Sequence, residues 1–308
     1  MGKSKRRRPK QRLRLVHIMI FMIAALLNGV LCANLWTHRD NSVSRDNVSC
    51  ADETVLFLQM SQAELHRGNL VLVNHAYSYN PETADDLVSI SAGMNDAYFV
   101  KSLDLMLHKQ AAAALNLWMR DYYAETSQGN INIVAGYRTI ADQQSLYNNA
   151  VALHGEDYAA DYFNDPGHSE HHTGLAVDFG TWSPATQTAG DFTGTGAQAW
   201  VLENAWRYGY IQRYPSEKQQ ITGIAYESWH FRYVGVPHAW YMYQHDLVLE
   251  EYLSLLTRYS FEAPLCFAVD GDSYQVYYCK GLSVPLPTAK EYEISGNNID
   301  GFIVTVVV

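Results

Sequence analysis

The sequence predicts an α+β fold: a small central antiparallel sheet with helices packed against it, a small C-terminal β appendage, and an N-terminal helix long enough to cross a bilayer. Three observations carry this. Short runs of alternating or β-branched residues recur at Ile131 to Val134, Leu175 to Phe179, Tyr210 to Arg213 and Trp229 to Val234, the period-two signal of strands. Between them lie stretches with helical spacing, chief among them Lys101 to Glu125, with apolar residues at Leu103, Leu107, Leu115, Trp118 and Tyr122. The 22 residues from Leu15 to Trp36 are mostly apolar, and about 20 suffice to span a membrane as a helix.

The N-terminal end sets the topology. Residues 3–14 hold eight Lys or Arg and no acid, so this basic block stays in the cytoplasm and everything after Trp36 lies outside. A cleaved signal would have an apolar core of roughly 7 to 15 residues and a clear small-residue exit. The run here is longer and its exit near Ala33 is weak, so residues 15–36 read as an uncleaved single-pass anchor in the cell membrane. Cys32 follows Leu31, too large for a lipoprotein signal. Residues 37–59 read as a linker, 60–257 as the main domain and 263–308 as the β appendage. Without the basic block the chain keeps 14 Lys and Arg against 32 Asp and Glu, an acidic balance that argues against nucleic acid as a partner.

In chain order, Leu70 to Val73 reads as a strand and Asn74 to Pro81 as a loop. The long helix ends at Ser127 to Asn130, and a short strand leads into Gly136-Tyr137-Arg138, followed by a second helix from Asp142 to about His154. Both helices are expected on one face of the sheet. Thr181 to Gly196, rich in Thr, Gly, Ser and Ala, reads as a mobile connection beside the site. Trp200 to Tyr208 reads as helix and Pro215 to Gly223 as a polar excursion. Pro237 to about Leu256 reads as one closing helix with Trp240, Tyr243, Leu247 and Tyr252 near one face, and His238 and His245 as ordinary surface or packing residues. Beyond Ala263, turns at Asp270-Gly271, Ser295 to Asn298 and Asp300-Gly301 separate short runs, a hairpin signal. The apolar run Phe302 to Val308 must find strand partners or remain an aggregation hazard. Cys266 and Cys279 flank a turn and could be bridged across a hairpin, or stand as two buried thiols.

The chemistry concentrates in Gly167 to Gly180, with His168, His171, His172 and Asp178, and in Glu227 to His230. His171 sits in a loop, Asp178 on a strand and His230 on a second strand. Two imidazoles, one carboxylate and an open fourth position match catalytic zinc, whereas structural sites are closed by four ligands, usually thiolates. Two histidines and an aspartate also favour zinc over magnesium or calcium. Glu227 is then left over as a proton acceptor.

Ser169 to Asp178 follows S-x-H-x-x-G-x-A-x-D, and Glu227 to His230 follows E-x-W-H. On these motifs the chain resembles zinc D-alanyl-D-alanine carboxypeptidases of the VanY type, in the superfamily that also holds lysostaphin-like peptidases and the hedgehog signalling domain. The resemblance covers roughly residues 60 to 245, with Gly136 to Thr139, Gln143, Arg213 to Pro215 and Arg232 to Gly235 as further blocks. It implies zinc on His171, Asp178 and His230, Glu227 as general base, and Arg138 near the scissile carbonyl. It also implies Gln143, Ser169 and Tyr137 as substrate contacts, and as substrate a peptidoglycan stem peptide ending in D-alanine. His172 departs from the glutamine more usual in relatives. An L,D-carboxypeptidase acting on tetrapeptide stems, or a zinc-bearing cell-wall module without catalysis, remain the alternatives.

Overall fold

Alternation along the strands decides which side of the central sheet is apolar. The computed structural model describes residues 55–79, 86–288 and 290–308. The basic block, the apolar run 15–36, Cys32, Cys50 and the linker up to residue 54 lie outside the described residues. Among the described residues no helix is long and apolar enough to cross a membrane.

The elements run β1 (Val55–Gln59), β2 (Leu87–Ser89), β3 (Phe99–Val100), β4 (Met106–His108), α1 (Lys109–Thr126), β5 (Ile131–Ala135), α2 (Ile140–His154), α3 (Glu156–Tyr162), β6 (Ala176–Ser183), β7 (Thr188–Asp191), α4 (Ala199–Asn204), β8 (Tyr210–Tyr214), β9 (Glu227–Tyr233), α5 (Val236–Gln244) and α6 (Leu249–Leu256), then β10 (Leu265–Val269), β11 (Asp272–Lys280), β12 (Ser283–Pro287), β13 (Tyr292–Gly296) and β14 (Gly301–Val307). The central sheet has the order β3-β5-β6-β9-β8, with β7 added to β6. All its pairs are antiparallel except β3 with β5.

Val177 and Phe179 on β6 and Phe231 on β9 are buried on one face, where α1 covers them. Trp118 of α1 is the centre of that contact, its ring 5.2 Å from Phe179, 5.0 Å from Phe231 and 5.2 Å from Tyr210. Ala111, Leu115, Trp118, Met119 and Tyr122 form the buried stripe of α1, the spacing an amphipathic helix requires. This helix begins at Lys109 and not near Lys101, because Met106–His108 is taken by pairing with β2 and Leu103 is exposed. The second helix is not on the same face. Gln143 and Leu146 of α2 line one cleft together with Asp178 and His230, on the opposite side of the sheet.

Other expectations are corrected. Leu70 to Val73 is buried but is not a strand; Leu72 N–H donates to the Asn297 carbonyl (3.2 Å) and Leu70 N–H to Ser295 Oγ (2.9 Å), so loop atoms satisfy its backbone. Thr181 to Gly196 includes a strand the sequence did not announce, β7, which folds back on β6 with Thr181 opposite Gly190. The closing helix is two, α5 and α6, broken where Asp246 adopts φ 51°. Of its four expected face residues only Tyr252 is fully buried, and Tyr243 is half exposed. His238 is, as expected, a packing residue, buried and bonded to the Tyr252 hydroxyl (2.8 Å) and Thr305 Oγ1 (3.0 Å).

The last strand, β14, lies between β11 and β13 and buries its apolar side chains. Val276 and Ile303 join Leu70, Leu72, Ile211, Val234 and Met242 in one cluster, so the C-terminal sheet shares a core with the main domain. At the end of the segment read as linker, β1 pairs with β12. Cys266 stands opposite Gln275 and Cys279 opposite Phe302. The tight turn pairing Val269 with Asp272 sets that register, and both thiols are free, Cys266 exposed and Cys279 buried.

Candidate metal centre

Asp178 on β6 and His230 on β9 are direct cross-strand partners, so both project to the face opposite Phe179 and Phe231. His171 arrives from the 3-10 turn Glu170–Thr173 just before β6. Ser169 Oγ caps that turn by accepting His171 N–H (3.4 Å), and Gly174 ends it with φ 72°, where an added Cβ would meet Leu87 and the His108 backbone. Glu227 is three residues before His230, which strict alternation would send to the other face. A register shift between Gln212 and Tyr214 places extra residues of β9 there. This bulge re-aims Glu227, whose Oε2 lies 3.8 Å from His230 Nδ1.

One donor atom each from His171, Asp178 and His230 lies within 4.8 Å of the others. His171 Nε2 is 3.2 Å from Asp178 Oδ2, and His230 Nδ1 is 3.0 Å from Asp178 Oδ1. The outer nitrogens are tied off: His171 Nδ1 donates to the Gly136 carbonyl (2.6 Å), and His230 Nε2 donates to Glu170 Oε2 (3.3 Å). A Cβ at Gly136 would collide with the Met106 carbonyl oxygen, so only glycine brings that carbonyl to His171. Each imidazole therefore turns its other nitrogen inward, as metal-ligating histidines do. The donor set of two nitrogens and a carboxylate fits zinc.

The electrostatics agree. Burial pushes the Asp178 carboxyl up, but His171 and His230 beside it hold it well below the usual carboxylate range. Burial lowers His171. Burial also opposes the charge on His230, but its bonds to Asp178 and Glu170 lift it to about 9. Glu227, nearly enclosed, is pushed up to about 8 by burial, with His230 working against the shift and Asp178 adding to it. It is a carboxylate with unusual affinity for a proton, and a divalent cation at the site would draw it back down.

These groups open into a cleft of about 120 Å³ whose walls include Arg138, Gln143, Asn164, Ser169, Tyr214 and Trp229. A larger hollow of about 420 Å³ beside the C-terminal sheet holds none of the expected site residues. Arg138 Nη2 is 3.9 Å from Asp178 Oδ2, and its Nη1 donates to Gln143 Oε1 (2.6 Å). Gln143 in turn donates to the Asn164 carbonyl (2.6 Å), so both its polar atoms are engaged in orienting Arg138. Tyr137 is half-buried and outside the cleft lining, its N–H bonded to the Met106 carbonyl (2.7 Å). His172 points inward: Nε2 accepts Gly167 N–H (3.1 Å), which leaves Nδ1–H to donate to the Arg138 carbonyl (2.7 Å). His168 bonds the Asn74 carbonyl (2.7 Å).

Sequence reasoning missed Glu170, which accepts from Arg213 Nε (2.8 Å) and Arg232 Nη1 (2.9 Å) behind His230. The signal was a pair of arginines inside otherwise aromatic strands, where a buried charge demands a partner.

The VanY family model, D-alanyl-D-alanine carboxypeptidase, matches residues 104–236. A D-alanyl-D-alanine carboxypeptidase of Enterococcus faecium is 33% identical over 275 residues, covering 87% of this chain and 82% of that protein. The bifunctional D-Ala-D-Ala dipeptidase and carboxypeptidase VanXYC of Enterococcus gallinarum is 37% identical over 143 residues, 46% of this chain and 75% of its own. Among solved structures, the vancomycin-resistance D,D-dipeptidase VanXYg, in complex with a D-Ala-D-Ala phosphinate analogue, superposes with a TM-score of 0.74 at 32% identity, over 82% of this chain and 99% of that one. On the family match and the likeness to the Enterococcus faecium enzyme over most of both chains, this chain belongs to the VanY family of D-alanyl-D-alanine carboxypeptidases.

Proposed function

We propose that this zinc-dependent carboxypeptidase removes the C-terminal D-alanine from peptidoglycan stem peptides outside the cytoplasm, tethered to the membrane by residues 15–36. The observation that carries the reading is the separation of roles in the cleft. His171, Asp178 and His230 converge as a donor set, while Glu227 stands beside them at 3.8 Å from His230 Nδ1. A carboxylate next to a metal site but outside its donor set is what peptide hydrolysis requires.

Zinc held by the three donors supplies Lewis acidity and a lowered pKa for water. Glu227 takes the proton of the attacking water and passes it to the departing amine of the terminal D-alanine, a transfer its raised proton affinity favours. Arg138, fixed by Gln143, presents its guanidinium beside Asp178 where the carbonyl oxygen gains charge. His172 holds the Arg138 backbone from behind. Tyr214, Trp229 and Tyr162 give the cleft aromatic walls.

The test is product identification by mass. The chain from about residue 50 is incubated with zinc and synthetic pentapeptide or tetrapeptide stems. Release of D-alanine from the pentapeptide alone is the expected result; release from the tetrapeptide alone would move the enzyme to the L,D class, and no release with zinc bound would leave a binding module. The location rests on the basic block and the apolar run. It is checked by protease digestion of intact cells, which should remove the domain after Trp36 and spare the basic end.

A further inference from the structure

Glu170 does not line the cleft, yet both oxygens of its side chain are committed. Its side chain has 0% exposure. Oε1 accepts from Arg213 Nε (2.8 Å) and Arg232 Nη1 (2.9 Å), and Oε2 faces His230 Nε2 at 3.3 Å. The arginines are held in turn: Arg213 forks onto Glu250 (2.9 and 2.6 Å), and Arg232 Nη2 donates to the carbonyls of Asn69 (3.1 Å) and Val71 (2.8 Å). Two guanidiniums thus face two carboxylates, so the charge of Glu170 is balanced without calling on His230. Oε2 is left to face His230 Nε2, and the ring so held turns Nδ1 toward Asp178 and Glu227.

We propose that Glu170 is the positioning residue of the metal centre: it fixes His230 in the tautomer and ring orientation that aim Nδ1 into the site, and Arg213 and Arg232 hold Glu170 in place. The inference rests on the metal reading above. It separates the two histidines. His171 is aimed by a backbone carbonyl, that of Gly136, whereas His230 is aimed by a side chain that can be changed. Carboxylates behind ligating histidines commonly contribute 10–100-fold in metal affinity.

The experiment is zinc affinity of the full chain, by competition with a chromophoric chelator, for wild type, Glu170→Gln and Glu250→Gln. Glu170→Gln keeps the side-chain length but weakens the acceptor, and its affinity is expected to fall about 10–100-fold. Glu250→Gln loosens Arg213 without touching His230, so it should melt at a lower temperature and lose clearly less zinc affinity than Glu170→Gln. Affinity of Glu170→Gln within about twofold of wild type, or an equal loss in Glu250→Gln, overturns the proposal. If Glu170→Gln does not fold, nitrogen NMR of the zinc-loaded wild type decides: a proton on His230 Nε2 supports the assignment and a proton on Nδ1 overturns it. Wild type that binds no zinc overturns the metal reading and this proposal together, a result distinct from the others.

Discussion

Strands β6 and β9 present two faces made from alternating residues of the same short segments. On one, Val177, Phe179 and Phe231 pack on Trp118; on the other, Asp178 and His230 meet His171 and Glu227, backed by Glu170 and two buried arginines. The aromatic face is held by area removed from water and by close fit, which are non-directional. The polar face has no such reserve. The charges of Glu170, Asp178, Arg213 and Arg232 are tolerated there because specific partners stand within hydrogen-bond reach. The pairing teaches that one sheet can be stabilised from one side and leave the other to chemistry.

The division predicts separable effects. The largest is expected for Glu227→Gln, which should lower kcat about 10²–10⁴-fold while zinc affinity stays within a few-fold; full activity in this variant would mean the proton path runs elsewhere. Next, Phe231→Ala on the opposite face should destabilise the fold by about 3–5 kcal/mol, read by urea unfolding, with kcat per folded molecule almost unchanged. A large loss of kcat in fully folded Phe231→Ala would show that the faces are coupled.

A smaller effect concerns pH. His230 must be neutral to bind metal, and its pKa is lifted to about 9 before metal enters. Between pH 6 and 8 a proton therefore competes with zinc, and affinity should rise up to tenfold per pH unit, levelling off above about 9. Titration with the chelator across this range checks the sign. Smallest of all, a reducing agent should leave the melting temperature unchanged, since Cys266 and Cys279 are apart and free; a downward shift would mean that a bond outside the described pairings supports the fold.

How much of this was legible in the sequence follows from range. The four central strands could be read because alternation is local, and the donor set because spacing and residue type mark it. Glu170 was not read, because its partners Arg213 and Arg232 stand 43 and 62 residues away and the histidines beside it carry the motif. Glu227 was legible as chemistry but not as geometry: its side of the strand depends on a bulge that no periodicity announces. The break between α5 and α6 turns on one residue, Asp246, in a left-handed conformation inside an otherwise continuous helical pattern. The place of α2 across the sheet from α1 is set by tertiary packing, which amphipathic spacing leaves open. Pairing of β1 with β12 joins segments from opposite ends of the domain.

The route from Arg232 outward also orders events in time. Its Nη2 rests on the carbonyls of Asn69 and Val71, and that segment is held by Ser295 Oγ, the Asn297 carbonyl and Asn298 Nδ2 on the Leu72 carbonyl. A ribosome delivers residues 69–73 early and 295–298 late. Until the later ones emerge, the earlier ones lack these bonds, Arg232 Nη2 lacks its fixed acceptors, and the support behind His230 is unfinished. Translation thus carries its own delay: a nascent or prematurely halted chain can hold every ligand and the general base and still lack a finished peptidase.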